Sequence, residues 1–186
     1  MDSYICRMSP IRIKYAEPSD AELIADMSRQ TFYDTFAAVN TKEDMDKFMN
    51  EQFSRESLIK EVSTPGNLFL LAYDGDKPLG YARIREGERH SEFNNHSSIE
   101  IARIYAIQSS IGKGVGKVLM EECIRIAKEM DRDIIWLGVW EKNDRAIEFY
   151  RKWGFEKFAE HDFVLGNDVQ TDWLMRRKVE NSWLLE

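Results

Sequence analysis

The stretch of this sequence with the clearest chemical potential runs Ile99-Glu100-Ile101-Ala102-Arg103-Ile104-Tyr105-Ala106. After a short link it continues Gly112-Lys113-Gly114-Val115-Gly116-Lys117-Val118-Leu119. It reads as a strand, a glycine-rich turn and a helix. Glycine lets a backbone approach a ligand closely and present successive N–H groups, and a helix N-terminus adds partial positive charge. Lys113 and Lys117 add full charges, so residues 112–117 form a candidate pyrophosphate cradle. Leu119, Cys123, Ile126, Ala127 and Met130 supply the apolar stripe that anchors the helix. A mononucleotide P-loop needs Gly-x4-Gly-Lys followed directly by Ser or Thr, which Gly112-Lys113-Gly114 does not satisfy. A dinucleotide fingerprint needs a third glycine, and after Gly114-Val115-Gly116 the chain has Lys117-Val118-Leu119. The loop alone is also compatible with an ordinary tight turn.

The second stretch runs from Trp136 to Phe155 and includes Asn143-Asp144-Arg145-Ala146-Ile147-Glu148-Phe149-Tyr150-Arg151-Lys152-Trp153-Gly154-Phe155. Asn143 stands where a helix begins and suits an N-cap. A phenol such as Tyr150 stays protonated at neutral pH, since its reference pKa is about 10, and can deliver a proton. It can equally be an aromatic packing residue beside Phe149. Glu100 can accept a proton directly or through water, or lie at the surface as most carboxylates do.

The Asn-x-x-Ala-Ile-x-Phe-Tyr-x-Lys-x-Gly-Phe pattern, a short distance after a glycine-rich loop, resembles the GNAT N-acetyltransferases. The resemblance spans roughly Ile11 to Val179 and is strongest between Glu100 and Phe155. Thr31 to Phe36, Ile135 to Asn143 and Gln170-Thr171-Asp172 further resemble the PaiA group, known for acetylating spermidine and spermine. The resemblance implies an α/β (α+β) fold with a mixed central sheet of about seven strands and about four to five flanking helices. It implies acetyl-CoA as cosubstrate and direct attack by an amine in a ternary complex, without an acyl-enzyme. Ile104, Tyr105 and Ala106 would offer backbone groups to the pantetheine arm and the thioester carbonyl. Asn143, Ala146, Tyr150 and Lys152 would complete the cofactor site. Tyr150, seven residues after Asn143, would be the general acid, and Glu100 the base. Tyr33, Asp34, Phe36 and Trp140 would contact a small cationic amine, with Glu43, Asp44 and Glu51 as further carboxylates. Two positions depart from the family pattern. Ile111 replaces a Gln or Arg at the start of the acyl-CoA loop, and Ala102 stands where the PaiA pattern often has glutamate. A protein or other small-amine acceptor, or an acyl-CoA-binding regulatory protein with little turnover, are the competing readings.

The elements that must position these residues are legible in outline. Ile11–Tyr15 alternates as a half-buried strand does. Pro18-Ser19-Asp20 starts a helix bearing Leu23, Ile24, Met27, Phe32 and Phe36, and Thr41 to Glu43 starts a second with Met45, Phe48 and Met49 on one face. A third helical piece around Glu56–Val62 ends at Pro65-Gly66. Strands follow at Leu68–Tyr73 and Pro78–Arg85, joined by Asp74-Gly75-Asp76. Gly87 to Ser97 reads as a polar loop, and Ser98–Ile107 as a strand. A helix spans Gly112 to about Met130, a strand Ile134–Val139, and a helix Asn143–Lys152. The strand pair Phe155–Val164 and Thr171–Val179 closes the core. The expected order is β-α-α-β-β-β-α-β-α-β-β with the extra helical piece, in a single domain (1–186, core about 11–179). The tail 180–186 carries no pattern.

Composition bounds the remaining possibilities. The chain has 186 residues, 43% apolar and 32% charged, and a formal charge of −7. This suits one globular domain and argues against nucleic acid as the main partner. The charge is compatible with a cationic substrate and with ordinary solubility. No run is long enough to span a membrane, and none reads as a signal peptide. Two cysteines, Cys6 and Cys123, do not make a disulfide framework, so a reducing cytoplasm is expected. His90, His96 and His161 have no metal-ligand spacing, and no metal is expected. A homodimer is compatible with the resemblance, but no residue specifies one.

Overall fold

The computed structural model describes residues 10–88 and 90–180. Cys6 and residues 181–186 of the tail lie outside them. Among the described residues, seven strands and five α-helices follow one another in the order expected from the sequence, with three short 3-10 turns between them and a seven-stranded mixed sheet at the centre. The strands are β1 (Arg12–Tyr15), β2 (Asn67–Asp74), β3 (Lys77–Arg85), β4 (Ser98–Ala106), β5 (Ile134–Trp140), β6 (Glu156–Leu165) and β7 (Asp168–Lys178). The helices are α1 (Ala21–Phe36), α2 (Lys42–Glu51), α3 (Arg55–Val62), α4 (Val115–Glu129) and α5 (Asp144–Lys152). The sheet order is β1-β2-β3-β4-β5-β7-β6. Only β4 and β5 pair in parallel, and α4 makes their crossover.

One face of the sheet packs on α4 and α5. Leu119, Met120, Cys123, Ile126 and Ala127 of α4, with Ile147 and Tyr150 of α5, bury against Ala82, Ile84, Ile99, Ile101, Ile135 and Leu137. Cys123 is fully buried there, and burial pushes its thiol up, as a core residue rather than a nucleophile. The other face packs on α1, α2 and α3. Phe32, Met45, Phe48, Phe53 and Leu58 make one cluster, and Ile24 and Met27 sit on Phe69, Leu71 and Tyr81. Thr41 caps α2 by accepting from the Asp44 N–H, and Ser54 caps α3 through the Ser57 N–H.

The loop from Gly87 to Ser97 is less loop-like than its polarity predicts. Ser91–Phe93 forms a 3-10 turn, and Phe93 is buried against Trp136 and Phe158. One aromatic with two aromatic partners outweighs the polar residues around it. Further along, α4 begins at Val115 rather than Gly112, because Gly112 and Gly114 have φ of +82° and +88°. That is the left-handed region, which a right-handed helix cannot include.

Candidate active site

Strand pairing creates the site. β4 and β5 are bonded only over Ser98–Glu100 and Ile134–Trp136. Beyond that, β4 stays with β3 as far as Ala106, and β5 turns with β7 as far as Trp140. The two central strands therefore fork. A bulge on β4 adds to this: Arg83 opposes Arg103 and Ile84 opposes Ile101, leaving Ala102 unopposed. The bulge reverses which face the following side chains take. Ile104 and Ala106 join the α4 core, while Tyr105 packs with the α1 side. A cavity of about 690 Å³ fills the fork and continues to both sides, within the usual span of about 300–1,000 Å³ for small-molecule sites.

On one side the cavity is lined by Ser110, Ile111, Gly112, Gly114, Gly116 and Lys117, and across from them by Asn143, Arg145, Ala146, Phe149 and Tyr150. The N-cap of α4 is Gly114, so no side chain caps its first turn. The N–H groups there face the cavity end as a ready anion site. A Cβ on Gly116 would lie 3.5 Å from the Phe149 ring, an ordinary contact, so α4 and α5 stand close together here. Asn143 caps α5 by accepting from the Ala146 N–H at 3.2 Å. The donor-rich turn, the unpaired stretch of β4 and the flanking Lys117 and Arg145 fit a pyrophosphate-bearing thioester. Lys113 and Lys152 are exposed and do not line the cavity. Val115 is buried beneath Gly80. Lys152 follows Arg151 near the end of α5, beyond the turn that meets the fork, whereas Arg145 lies in the first turn.

At the fork itself stand Tyr150, Tyr105, Glu100 and Asp172. Tyr150 is buried, with its ring against Phe149 and Phe155. Burial holds the phenol protonated, well above its ordinary value. Burial does the same to Tyr105, which stacks on Tyr81 at 6.0 Å. Glu100 is buried, which raises its carboxyl, but Arg85 opposes that by donating from Nε at 2.7 Å and pairing through its second guanidinium nitrogen. Asp172 is also raised by burial, opposed by His161, whose Nε2 lies 3.7 Å away.

On the far side, Phe32, Phe36, Phe48, Phe53, Phe163 and Trp140 form an aromatic wall. Phe36 meets Trp140 edge-on at 6.1 Å. The floor is charged: Arg83 and Arg103, directly opposed across β3 and β4, both pair with Glu61 of α3. A cross-strand like-charge pair is unfavourable unless compensated, and Glu61 compensates it. Of the sequence-predicted acceptor residues, Phe36 and Trp140 line the cavity and Tyr33 and Asp34 do not. Helical spacing is the reason: Phe32, Thr35 and Phe36 share the inner face of α1, and Tyr33 and Asp34 fall on the outer one. Tyr33 lies by Arg29 and Met49, and Asp34 accepts from Gln30 at 2.7 Å. Asp44 is occupied in accepting the Asn167 N–H at 2.8 Å, which pins the β6–β7 turn to α2. Sequence reading missed Arg83, Arg85, Arg103 and the role of Asp172. The available signal was charge recurring at alternate positions of Tyr81-Ala82-Arg83-Ile84-Arg85, a strand with otherwise apolar neighbours. Among the described residues no cluster of His, Cys, Asp or Glu is placed to hold a metal, and no helix is long and apolar enough to cross a membrane.

A fork between two parallel strands, met by an uncapped glycine-led helix and a buried phenol, is the framework of an acetyl-CoA-dependent N-acetyltransferase. The family model described as the acetyltransferase (GNAT) family matches residues 29–155, and the chain belongs to that family. It is 37% identical over 171 residues to an uncharacterized N-acetyltransferase in the pepI 3'region of Lactobacillus delbrueckii subsp. lactis, covering 91% of this chain and 98% of that protein. It is 25% identical over 175 residues to the spermidine N(1)-acetyltransferase of Thermoplasma acidophilum, covering 92% and 99%. Among solved structures it shares its fold with the PaiA N-acetyltransferase of Thermoplasma acidophilum in complex with coenzyme A. The TM-score there is 0.73 at 24% identity, covering 91% of this chain and 99% of that one. The expected relation to the PaiA group and the expected α/β fold both stand.

Proposed function

We propose that this N-acetyltransferase acts on a small primary amine, with polyamines such as spermidine or spermine as the acceptor class, by direct attack in a ternary complex. The observation that carries the reading is the continuity of one cavity from the glycine cradle, past Tyr150, to the aromatic wall. Acetyl-CoA supplies the acyl group already activated as a thioester. The chain's own residues do the rest. The first turn of α4, with Lys117 and Arg145, holds the phosphates. Backbone groups of Ile104, Tyr105 and Ala106, on the unpaired side of β4, and the Asn143 region of α5 orient the arm. Tyr150 keeps its proton until the leaving thiolate needs it, as its burial favours. Phe36, Trp140 and the other aromatics exclude water and can flank an alkyl chain or a cation. The Thermoplasma relative's name, together with Asp172 and the aromatic side chains on the cavity wall, supports a polyamine.

The test is acetyl-CoA turnover, followed by release of free thiol, against spermidine, spermine, a lysine peptide and an amino-terminal peptide. Preferential turnover of the polyamines is the expected outcome. Turnover with peptides alone would keep the transfer chemistry and replace the acceptor class. Acetyl-CoA binding without turnover on any of them would favour a regulatory protein.

A further inference from the structure

Two carboxylates reach the fork, and they are not equivalent. Glu100, at the last bonded pair of β4 and β5, is held from two guanidinium nitrogens of Arg85. Burial raises its carboxyl, but the double contact fixes it against Arg85, so the geometry leaves it turned to a guanidinium rather than free to meet an amine. Asp172 is bound by no comparable group. It lies opposite Trp140 on β5 and opposite His161 on β6, on the face of the sheet turned toward the acceptor side. Its Oδ2 comes within 3.7 Å of where a Cβ on Gly138 would be, and His161 Nε2 lies at 3.8 Å from the same point. Gly138 is on the part of β5 that has already left β4. The absence of a side chain there opens the Asp172 carboxylate to the fork. Its ionic partner is His161, whose Nε2 lies 3.7 Å away and favours the charged carboxylate against its burial. The side chain of Asp172 is 17% exposed and that of His161 52% exposed. The pair therefore runs from a buried end in the cavity to an open end at the surface.

We propose that Asp172 is the base of the transfer and His161 its outlet to solvent. This inference rests on the proposed amine acetylation. The acceptor enters as an ammonium ion, and one N–H proton passes to Asp172. The freed nitrogen lone pair then forms the bond to the acyl carbon. The proton moves on from Asp172 to His161 Nε2, and the imidazole releases one from Nδ1 to water. As the C–S bond of the adduct breaks, Tyr150 gives its proton to the leaving thiolate, and the second N–H proton of the adduct nitrogen restores the phenol. Charge and atoms balance without any further reactant. Burial, which raises the Asp172 carboxyl, makes it a better proton acceptor than a solvated aspartate. The titratable or charged groups around Asp172 are His161 from β6, Tyr105 from β4, the Arg85–Glu100 pair along the same wall, and Lys142, whose ammonium lies 6.0 Å over the Trp140 ring. Of these, His161 alone offers a path to water that starts at the carboxylate.

Steady-state rates for wild type, Asp172→Asn and His161→Gln, measured with spermidine and in parallel with a lysine peptide from pH 6 to 10, test the assignment. Asp172→Asn should lower kcat/KM by about 10²-fold near neutrality and recover toward wild type at high pH, where the amine is already neutral. His161→Gln should show the same pH trend with a smaller loss. Coenzyme A affinity by calorimetry and the melting temperature should stay at wild-type values or rise, since Asn removes a buried charge. A wild-type pH profile in Asp172→Asn overturns the base role. A loss confined to acceptor KM with kcat and pH profile intact also overturns it, because it makes Asp172 an ammonium-binding group only. Wild-type protein that releases no thiol with any amine overturns the proposed function and this inference together. Amine turnover with an unaffected Asp172→Asn overturns this inference alone.

Discussion

The two ends of the cavity are built differently. The cofactor end comes from one continuous stretch, from β4 through α4 and β5 to α5, and works through backbone groups. Gly112 and Gly114 make the turn, α4 presents uncapped N–H groups, and β4 leaves one edge unpaired. The end proposed for the acceptor draws Phe32 from α1, Phe48 from α2, Phe53 from the link to α3, Arg83 from β3, Trp140 from β5, Phe163 from β6 and Asp172 from β7. It works through side chains. A constant phosphate and pantetheine can be met by backbone, which every sequence carries. Selection among amines needs side chains, and these arrive from distant parts of the chain.

That contrast can be tested by breaking each end separately. The largest effect should fall at the junction. Tyr150→Phe removes the acid from the shared fork, and kcat should drop about 10²-fold with coenzyme A affinity unchanged. A structural role alone would leave the rate at wild-type level. Because burial raises the phenol, wild-type kcat should also show no alkaline decline up to about pH 10.

Two glycine substitutions should then separate the ends. A Cβ on Gly80 would meet the Tyr105 carbonyl oxygen at 2.4 Å and Val115 at 2.9 Å. Gly80→Ala should therefore cost about 1–3 kcal/mol of stability and weaken coenzyme A binding, because it displaces β4 and the start of α4. Gly166 has φ +67°, and its Cβ would lie 2.5 Å from the Asp44 Cα. Gly166→Ala should cost a similar amount, about 1–3 kcal/mol, by lifting the β6–β7 turn from α2. Its signature is the reverse: raised acceptor KM with coenzyme A affinity kept. Denaturant melts and calorimetry on both variants decide this, and equal losses in both affinities from each variant would erase the distinction between the ends. The smallest effect is expected for Asn143→Ala, which removes the α5 cap and should cost about 1 kcal/mol, read in the melting temperature.

Legibility in the sequence followed the same division. The order of elements, the caps at Thr41 and Asn143, and the core stripe of α4 could be read because helix and strand periods repeat locally. The glycine turn could be read because few residues tolerate positive φ. Of the residues expected to contact an amine, Phe36 and Trp140 line the cavity. Tyr33 and Asp34 are not separable from them by motif, since each helix residue turns about 100° from the last and a motif does not say which way is in. Lys113 and Lys152 carry the right charge near the right motif, yet beside the glycine turn it is Lys117 and Arg145 that line the cavity. Asp172 was visible as part of a motif, but its use depends on a glycine in β5 and a histidine in β6.

The sequence by itself determined the family, the strand–turn–helix cradle and the phenol on α5, because those depend on local backbone geometry and short spacings. Tertiary structure alone decided that Arg85 occupies Glu100, that Glu61 holds Arg83 against Arg103, and that Asp172 faces the fork beside His161. Those outcomes depend on strand register and on one bulge at Ala102, and a shift of a single residue in pairing sends every later side chain to the opposite face.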